Sequence, residues 1–374
     1  MRIEGERDVL LGAVAMVAGV VPAKPVKAEL GFLRIKAPDV LTATVHGTDL
    51  EIHLECALRL ILLEGPGELL LPAHQLLAVL KAMPAGFVTI ETQGKEAVIS
   101  STGMVYRLET GEPDKLPDVP LAEPEWKLAV THGQLRQILK RVSFAASTDL
   151  QRFAMNGVHL RFNGPLLQAI ATDGRRLAMA DVDCEESWKA NQSTKPARNP
   201  DPVTVPNRAV DVIEKVAQDF ATITWTKRQL RVEWFVEGLR ETALTTALVE
   251  GRFPDVDSVW PKGEPATHFS IPTDDLLSGI RRAAVCVDFE TRRMGIQMRR
   301  QGLTLESRGN GKGQATVEIP VEISGEDLSI HLNPAYLADC VRPCGESARV
   351  GVKGEGHPGI IGGEGYSALI MPLT

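Results

Sequence analysis

The residues of this chain able to do chemistry are scattered. Cys340 and Cys344 stand four apart, on one face of a helix, but no CxxC pair or Cys/His set lies near them to hold zinc. The eight histidines are isolated along the sequence, and neither an HExxH helix nor a GxSxG nucleophile turn occurs. "SRGNGKGQA" (307–315) has a Gly-Lys pair, yet a phosphate loop needs glycine where Glu306 stands and Ser or Thr where Gly313 stands, so a hairpin turn is expected. The glycines of "KGEGHPGIIGGEG" (353–365) precede no helix and cannot cradle a pyrophosphate. No metal, cofactor or catalytic residue is expected. A hydrolase or transferase with an unrecognised site is the poorest reading.

Charge on helices is the remaining chemistry. "THGQLRQILKRV" (131–142) carries Arg136, Lys140 and Arg141 and no acid, while Leu135, Ile138, Leu139 and Val142 recur at core-facing spacing. "TDDLLSGIRRAA" (273–284) ends in Arg281 and Arg282. The chain as a whole carries −7, with 44% hydrophobic and 24% charged residues, so it is a globular protein and not a polycation. Basic helices on an acidic body suit loose phosphate contacts without sequence preference.

The elements that position these bases repeat. "KLPDVPLAEPEW" (115–126) and "RFPDVDSVWP" (252–261) share a Pro-Asp-Val corner, and each leads into a strand-like run and an apolar-periodic helix. Placing Leu135 on Leu276 puts Leu139 on Ile280, and "RIEGERDVLLGAVAMV" (2–17) fits the same frame with Leu10 and Val14. A second helix recurs in "LLLPAHQLLAVLKAM" (69–83), "VTVPNRAVDVIEKVA" (203–217) and "IHLNPAYLADCV" (330–341), each followed by an alternating hairpin. Thr48-Asp49 answers Thr172-Asp173. An α+β chain of three copies follows, over 1–125, 126–262 and 263–374, each with two helices on antiparallel strands. The polar stretch 183–204 reads as a solvated loop.

"LLGAVAMVAGVVPA" (10–23) has the look of a signal-peptide core, but the acids Glu4, Glu6 and Asp8 precede it and it is too short to span a bilayer. It reads as a buried helix. The odd, scattered cysteines read as core thiols of a reducing cytoplasm.

In this order and spacing, "GTDLE" (47–51), "NGVHLRF" (156–162), "ATDGRRLA" (171–178), "EGRFPDV" (250–256), "LNPAYLADCV" (332–341) and "LIMPLT" (369–374) resemble the bacterial DNA polymerase III β subunit, the sliding clamp, over the whole length. The resemblance implies three clamp domains per chain and a head-to-tail homodimer that closes a six-domain ring around duplex DNA. It implies a non-catalytic processivity factor that tethers the polymerase III α subunit, the clamp loader, other polymerases and repair proteins. Their short peptides would enter a pocket built from Met155, Thr172, Gly174, Arg175, Arg176, Leu177, Pro254, Val259, Asn333, Tyr336, Leu369, Ile370, Met371, Pro372 and Leu373, with Arg176 hydrogen-bonding the peptide. Lys24, Arg136, Lys140, Arg141, Arg152, Phe153, Arg281 and Arg282 would face DNA. Tyr106 would pack near Val285 and Cys286 of a neighbouring subunit. This chain departs from the family's habits at Arg175, where histidine is frequent, at Ser258, where a base is common, at Ala154, where an aromatic is common, and at its "MPLT" end. The competing reading is a clamp-fold scaffold that binds peptides without encircling DNA; bases gathered on helices favour the clamp.

Overall fold

The computed structural model describes residues 1–38, 42–163, 166–184, 200–216, 220–237, 239–311 and 313–373. Most of the polar stretch 183–204 therefore lies outside the described residues. Seven α-helices occur among them: α1 (Arg7–Ala18), α2 (Ala73–Ala82), α3 (His132–Val142), α4 (Asn207–Ile213), α5 (Val256–Val259), α6 (Thr273–Ala284) and α7 (Pro334–Val341). None is long and apolar enough to cross a membrane.

The helices confirm the repeat register. Strands Arg2–Glu6, Trp126–Thr131 and Thr267–Pro272 run straight into α1, α3 and α6. Leu10, Leu135 and Leu276 then occupy equivalent places and are buried, as are Val14, Leu139 and Ile280. Arg136, Lys140, Arg281 and Arg282 lie on the exposed faces opposite them. Strands Gly67–Pro72, Val203–Pro206 and Leu328–Leu332 lead in the same way to α2, α4 and α7. Buried side chains at three- and four-residue spacing, rather than intrinsic propensity, hold these short helices in place.

The chain forms two compact units. One contains Met1–Arg136 and Arg208–Leu248, the other Gln137–Asp183 and Val249–Thr374. The first holds an antiparallel eight-stranded sheet in which Leu239–Ala247 pairs with Ile52–Arg59, two segments nearly 200 residues apart. The second holds a nine-stranded sheet in which Tyr366–Ile370 pairs with Arg176–Asp183. In each case the last strand of one repeat adds to the fourth strand of the repeat before it. Two smaller sheets are left with an open edge on the corresponding strands. Met104–Glu109 ends a five-stranded sheet in the first unit, and Gly313–Ile319 ends a four-stranded sheet in the second.

Alternation decides which face of each strand is buried. In Gln229–Val236, Leu230, Val232 and Trp234 are inside while Arg231 and Glu233 form ion pairs on the other face. Cys56, Cys184, Cys340 and Cys344 are buried free thiols and Cys286 is half-buried. Burial pushes the Cys340 and Cys344 thiols up to about 12, so they act as small apolar side chains.

Candidate peptide-docking site

The quoted "ATDGRRLA" turns the hairpin between strands Leu166–Thr172 and Arg176–Asp183. Thr172 Oγ1 donates to the Arg176 carbonyl at 2.8 Å and accepts from Gly174 N at 3.1 Å. Asp173 Oδ1 accepts from Arg175 N and Arg176 N at 2.8 and 2.9 Å. Short polar side chains thus satisfy the corner's own amides. Gly174 takes φ 82°, a left-handed position that costs glycine little.

Behind the corner lies an apolar wall. Ile170, Leu177, Phe253, Val256 and Leu369 form one buried cluster, with Met179, Trp260 and Ile360 packed against it. The C-terminal strand joins through Met371 N, which donates to the Arg175 carbonyl at 2.8 Å, and Leu373 N donates to the His331 carbonyl at 2.8 Å. Above the wall, Val259 and Met371 are exposed at 58% and 47%, large apolar tips left in water beside a buried cluster. Pro254 is exposed as well, Pro372, Leu373 and Met155 are half-buried, and Ile370 is fully buried. Asn333 is spent on capping α7, its Oδ1 accepting from Ala335 N at 3.0 Å.

Arg176 is committed differently from the expectation that it binds a peptide. Its Nε donates to Asp173 Oδ2 at 3.1 Å and its Nη1 to Asp339 Oδ2 at 2.7 Å. Its guanidinium lies 4.3 Å from the centre of the Tyr336 ring and 5.3 Å from that of Phe144. Two carboxylates and two rings leave it 12% exposed, so it fastens the corner to α7 and orients Tyr336. Asp339 was not singled out from sequence, although it lies within "LNPAYLADCV". Nothing in a linear pattern shows that it faces a residue 163 positions earlier.

The bases expected to face DNA divide. Lys24, Arg136, Lys140, Arg281 and Arg282 are exposed. Arg141 is half-buried and donates to the Glu364 carbonyl at 3.0 Å. Arg152 turns to the corner, donating to the Asp173 carbonyl at 2.6 Å, while its neighbour Phe153 is 51% exposed. A cleft of about 590 Å³ between α6 and α7, lined in part by Arg281, Phe289, Arg292 and Arg342, adds two bases absent from the sequence reading. Of the residues expected at a subunit seam, Tyr106 lies half-buried on the open edge strand Met104–Glu109, whose Val105 is 64% exposed. Val285 stands 74% exposed just after α6, with Cys286 beside it.

A repeated scaffold that hands strands from one repeat to the next and gathers exposed apolar tips beside a buried wall is built to hold other macromolecules. Comparison with known proteins makes this specific. The family models for the DNA polymerase III beta subunit match the N-terminal domain over residues 1–120, the central domain over 129–255 and the C-terminal domain over 257–354. The chain belongs to the DNA polymerase III beta subunit family. It is 26% identical to the beta sliding clamp of Pseudomonas aeruginosa over 340 residues, covering 89% of this chain and 88% of that one. It is 24% identical to that of Chlamydia muridarum, covering 100% and 99%. The fold matches the crystal structure of the P. aeruginosa DnaN sliding clamp bound to griselimycin with a TM-score of 0.92 at 24% identity, over 100% of this chain and 99% of that one. The match to the Bacillus subtilis sliding clamp has a TM-score of 0.90 at 22% identity, over the same shares.

Proposed function

We propose that the chain is a non-catalytic DNA sliding clamp, three domains over 1–125, 126–262 and 263–374, that closes with a second copy into a ring around duplex DNA. One observation carries the ring reading. Two repeat-to-repeat junctions are made by adding a last strand to a fourth strand, and the corresponding two strands, the last of the first repeat at Met104–Glu109 and the fourth of the third at Gly313–Ile319, are left open at the ends of the chain's pattern. An open edge strand is a template for another chain. A head-to-tail pair of copies would fill both edges at once, a heterologous contact that closes after two subunits. Tyr106, Val285 and Cys286 are the side chains proposed for that seam.

Lys24, Arg136, Lys140, Arg281 and Arg282 are proposed to meet the phosphates, with Arg292 and Arg342 added. On α3 the exposed bases have no acid beside them, whereas on α6 Asp274 and Asp275 share a face with Arg281 and Arg282. Modest net charge without base-reading geometry favours weak contacts that let a ring slide. Partners, among them the polymerase α subunit and the clamp loader, are proposed to insert a short apolar peptide against Leu177, Pro254, Val259, Met371 and Leu373, beside Gly174, Arg175 and Tyr336. Apolar walls would supply affinity and backbone groups direction. Tethering through a closed ring keeps the polymerase at high effective concentration near its template.

Sedimentation of the purified chain tests the seam. A dimer for the wild type and a folded monomer for Tyr106→Ala combined with Val285→Asp is expected. A wild-type monomer, or an unchanged dimer in the variant, would refute the seam.

A further inference from the structure

On the first unit's eight-stranded sheet, the face opposite the buried Val45, Leu54 and Cys56 brings together three side chains that no linear motif joins. His46 lies directly across from Glu55 in the pairing of Thr42–Thr48 with Ile52–Arg59, and His53 precedes Glu55 by two residues on the same face. Among the described residues these three form the one group of histidine, cysteine or carboxylate side chains able to converge on an ion, with one donor atom from each within 4.8 Å of the others.

The donors are oriented from outside. Glu55 Oε1 faces both rings, 3.2 Å from His53 Nε2 and 3.9 Å from His46 Nδ1. Glu55 Oε2 is held separately by Arg231 and Arg240, each at 3.3 Å. His46 Nε2 lies 2.6 Å from Thr44 Oγ1, which fixes the ring with Nδ1 turned toward the carboxylate. Outer partners of this sort position metal ligands. His53 is 8% exposed and its Nδ1 is buried without a hydrogen-bond partner. The ring nitrogen that faces Glu55, Nε2, is the donor His53 offers to an ion.

We propose that His46, His53 and Glu55 form a zinc(II) site on the outer face of the N-terminal repeat, with a fourth position open to water. Two imidazoles and one carboxylate are a zinc donor set, and a tetrahedron with metal–ligand bonds of about 2.1 Å separates its donors by about 3.4 Å. The two gaps to Glu55 bracket that value, and a small ring rotation closes the rest. Arg231 and Arg240 oppose a dication and weaken its binding.

The test uses the full-length, metal-stripped chain with cobalt(II) and zinc(II) as probes. One saturable equivalent of cobalt(II), with the intense visible bands of four-coordination and displacement by zinc(II), is expected. His46→Gln and Glu55→Gln should each weaken binding by at least about tenfold, and His74→Gln should not. Modification of the wild-type chain with diethyl pyrocarbonate needs no variant, and zinc(II) should protect His46 and His53. Absence of saturable binding below about 100 μM metal, binding unchanged in His46→Gln, or protection confined to other histidines would overturn the site.

Discussion

The corners Thr48–Ile52 and Thr172–Arg176 are the same turn made twice. Thr48 Oγ1 donates to the Ile52 carbonyl and Asp49 Oδ1 accepts from Glu51 N and Ile52 N, the bonds that Thr172 and Asp173 make in the later repeat. Both third residues adopt φ 82°, but one is Leu50 and the other Gly174. Each corner is also fastened by an arginine. Arg208 from α4 pairs with Asp49 and donates to the Val20 carbonyl at 2.8 Å, whereas in the later repeat the arginine is on the corner and the acid, Asp339, on the helix. What the corner abuts differs most. Thr172–Arg176 backs on the apolar cluster of Ile170, Leu177, Phe253 and Leu369. Thr48–Ile52 borders a cleft of about 400 Å³ that holds charged side chains, among them Glu51, Glu125, Lys227 and Arg228. Identical turn chemistry therefore says nothing about function by itself; the proposed docking wall rests on the surface behind one of the two turns.

Peptide binding should expose that difference most strongly. Deleting 371–374 is expected to cut the affinity for a clamp-binding peptide by more than about tenfold while the chain stays folded, with a modest loss of stability from the bonds of Met371 N and Leu373 N. Leu50→Asp should leave peptide affinity alone. Fluorescence anisotropy with a labelled peptide reads both. Equal losses would erase the distinction between the corners.

The fasteners should rank next. Arg176→Ala leaves Asp173 facing Asp339 without the shared cation and removes the contact with Tyr336, for an expected loss of about 3 kcal/mol. Arg208→Ala leaves the single buried carboxylate of Asp49, for about 2 kcal/mol. Denaturant unfolding of both, and a double-mutant cycle of Arg176 with Asp339, checks the order. A coupling near zero would mean that Arg176 is free to serve a peptide after all.

Acid should weaken both units by one mechanism. Burial lowers His46 and His159 from about 6.5 to about 4 in the fold. A depressed folded value means stability is fully present above about 6.5 and is lost as pH falls toward about 4. Thermal midpoints across that window should fall, and His159→Gln should flatten part of the slope. A midpoint independent of pH there would contradict the buried neutral rings.

The smallest effect concerns the left-handed residue. Leu50→Gly should stabilise the chain by up to about 1 kcal/mol, since it relieves a backbone conformation that side chains avoid. Gly174→Leu should cost about as much, because a Cβ there would also meet Arg152 Nη1 at 2.7 Å.

Sequence carried the parts of this architecture that depend on local periodicity. The frame that superposes Leu10, Leu135 and Leu276 follows from helix spacing, and the threonine–aspartate corners follow from turn chemistry. Other features depend on which distant strands become neighbours. Arg176 meets Asp339, Arg208 meets Asp49, and His46 meets Glu55 only after register is set by cross-strand packing. Arg152 is expected at DNA from the family resemblance alone, and its guanidinium donates to the carbonyl of Asp173. The exposed Phe289 gave no periodic signal because it lies beyond the end of α6.

The central claim is topological, and retention on DNA tests it most directly. The chain would be loaded with its clamp loader and ATP onto nicked circular DNA, and the DNA then cut once. Protein that stays on circles and leaves when ends appear is the predicted result. Protein that binds circles and linear DNA alike, or neither, would contradict a closed ring and leave only the peptide-docking scaffold.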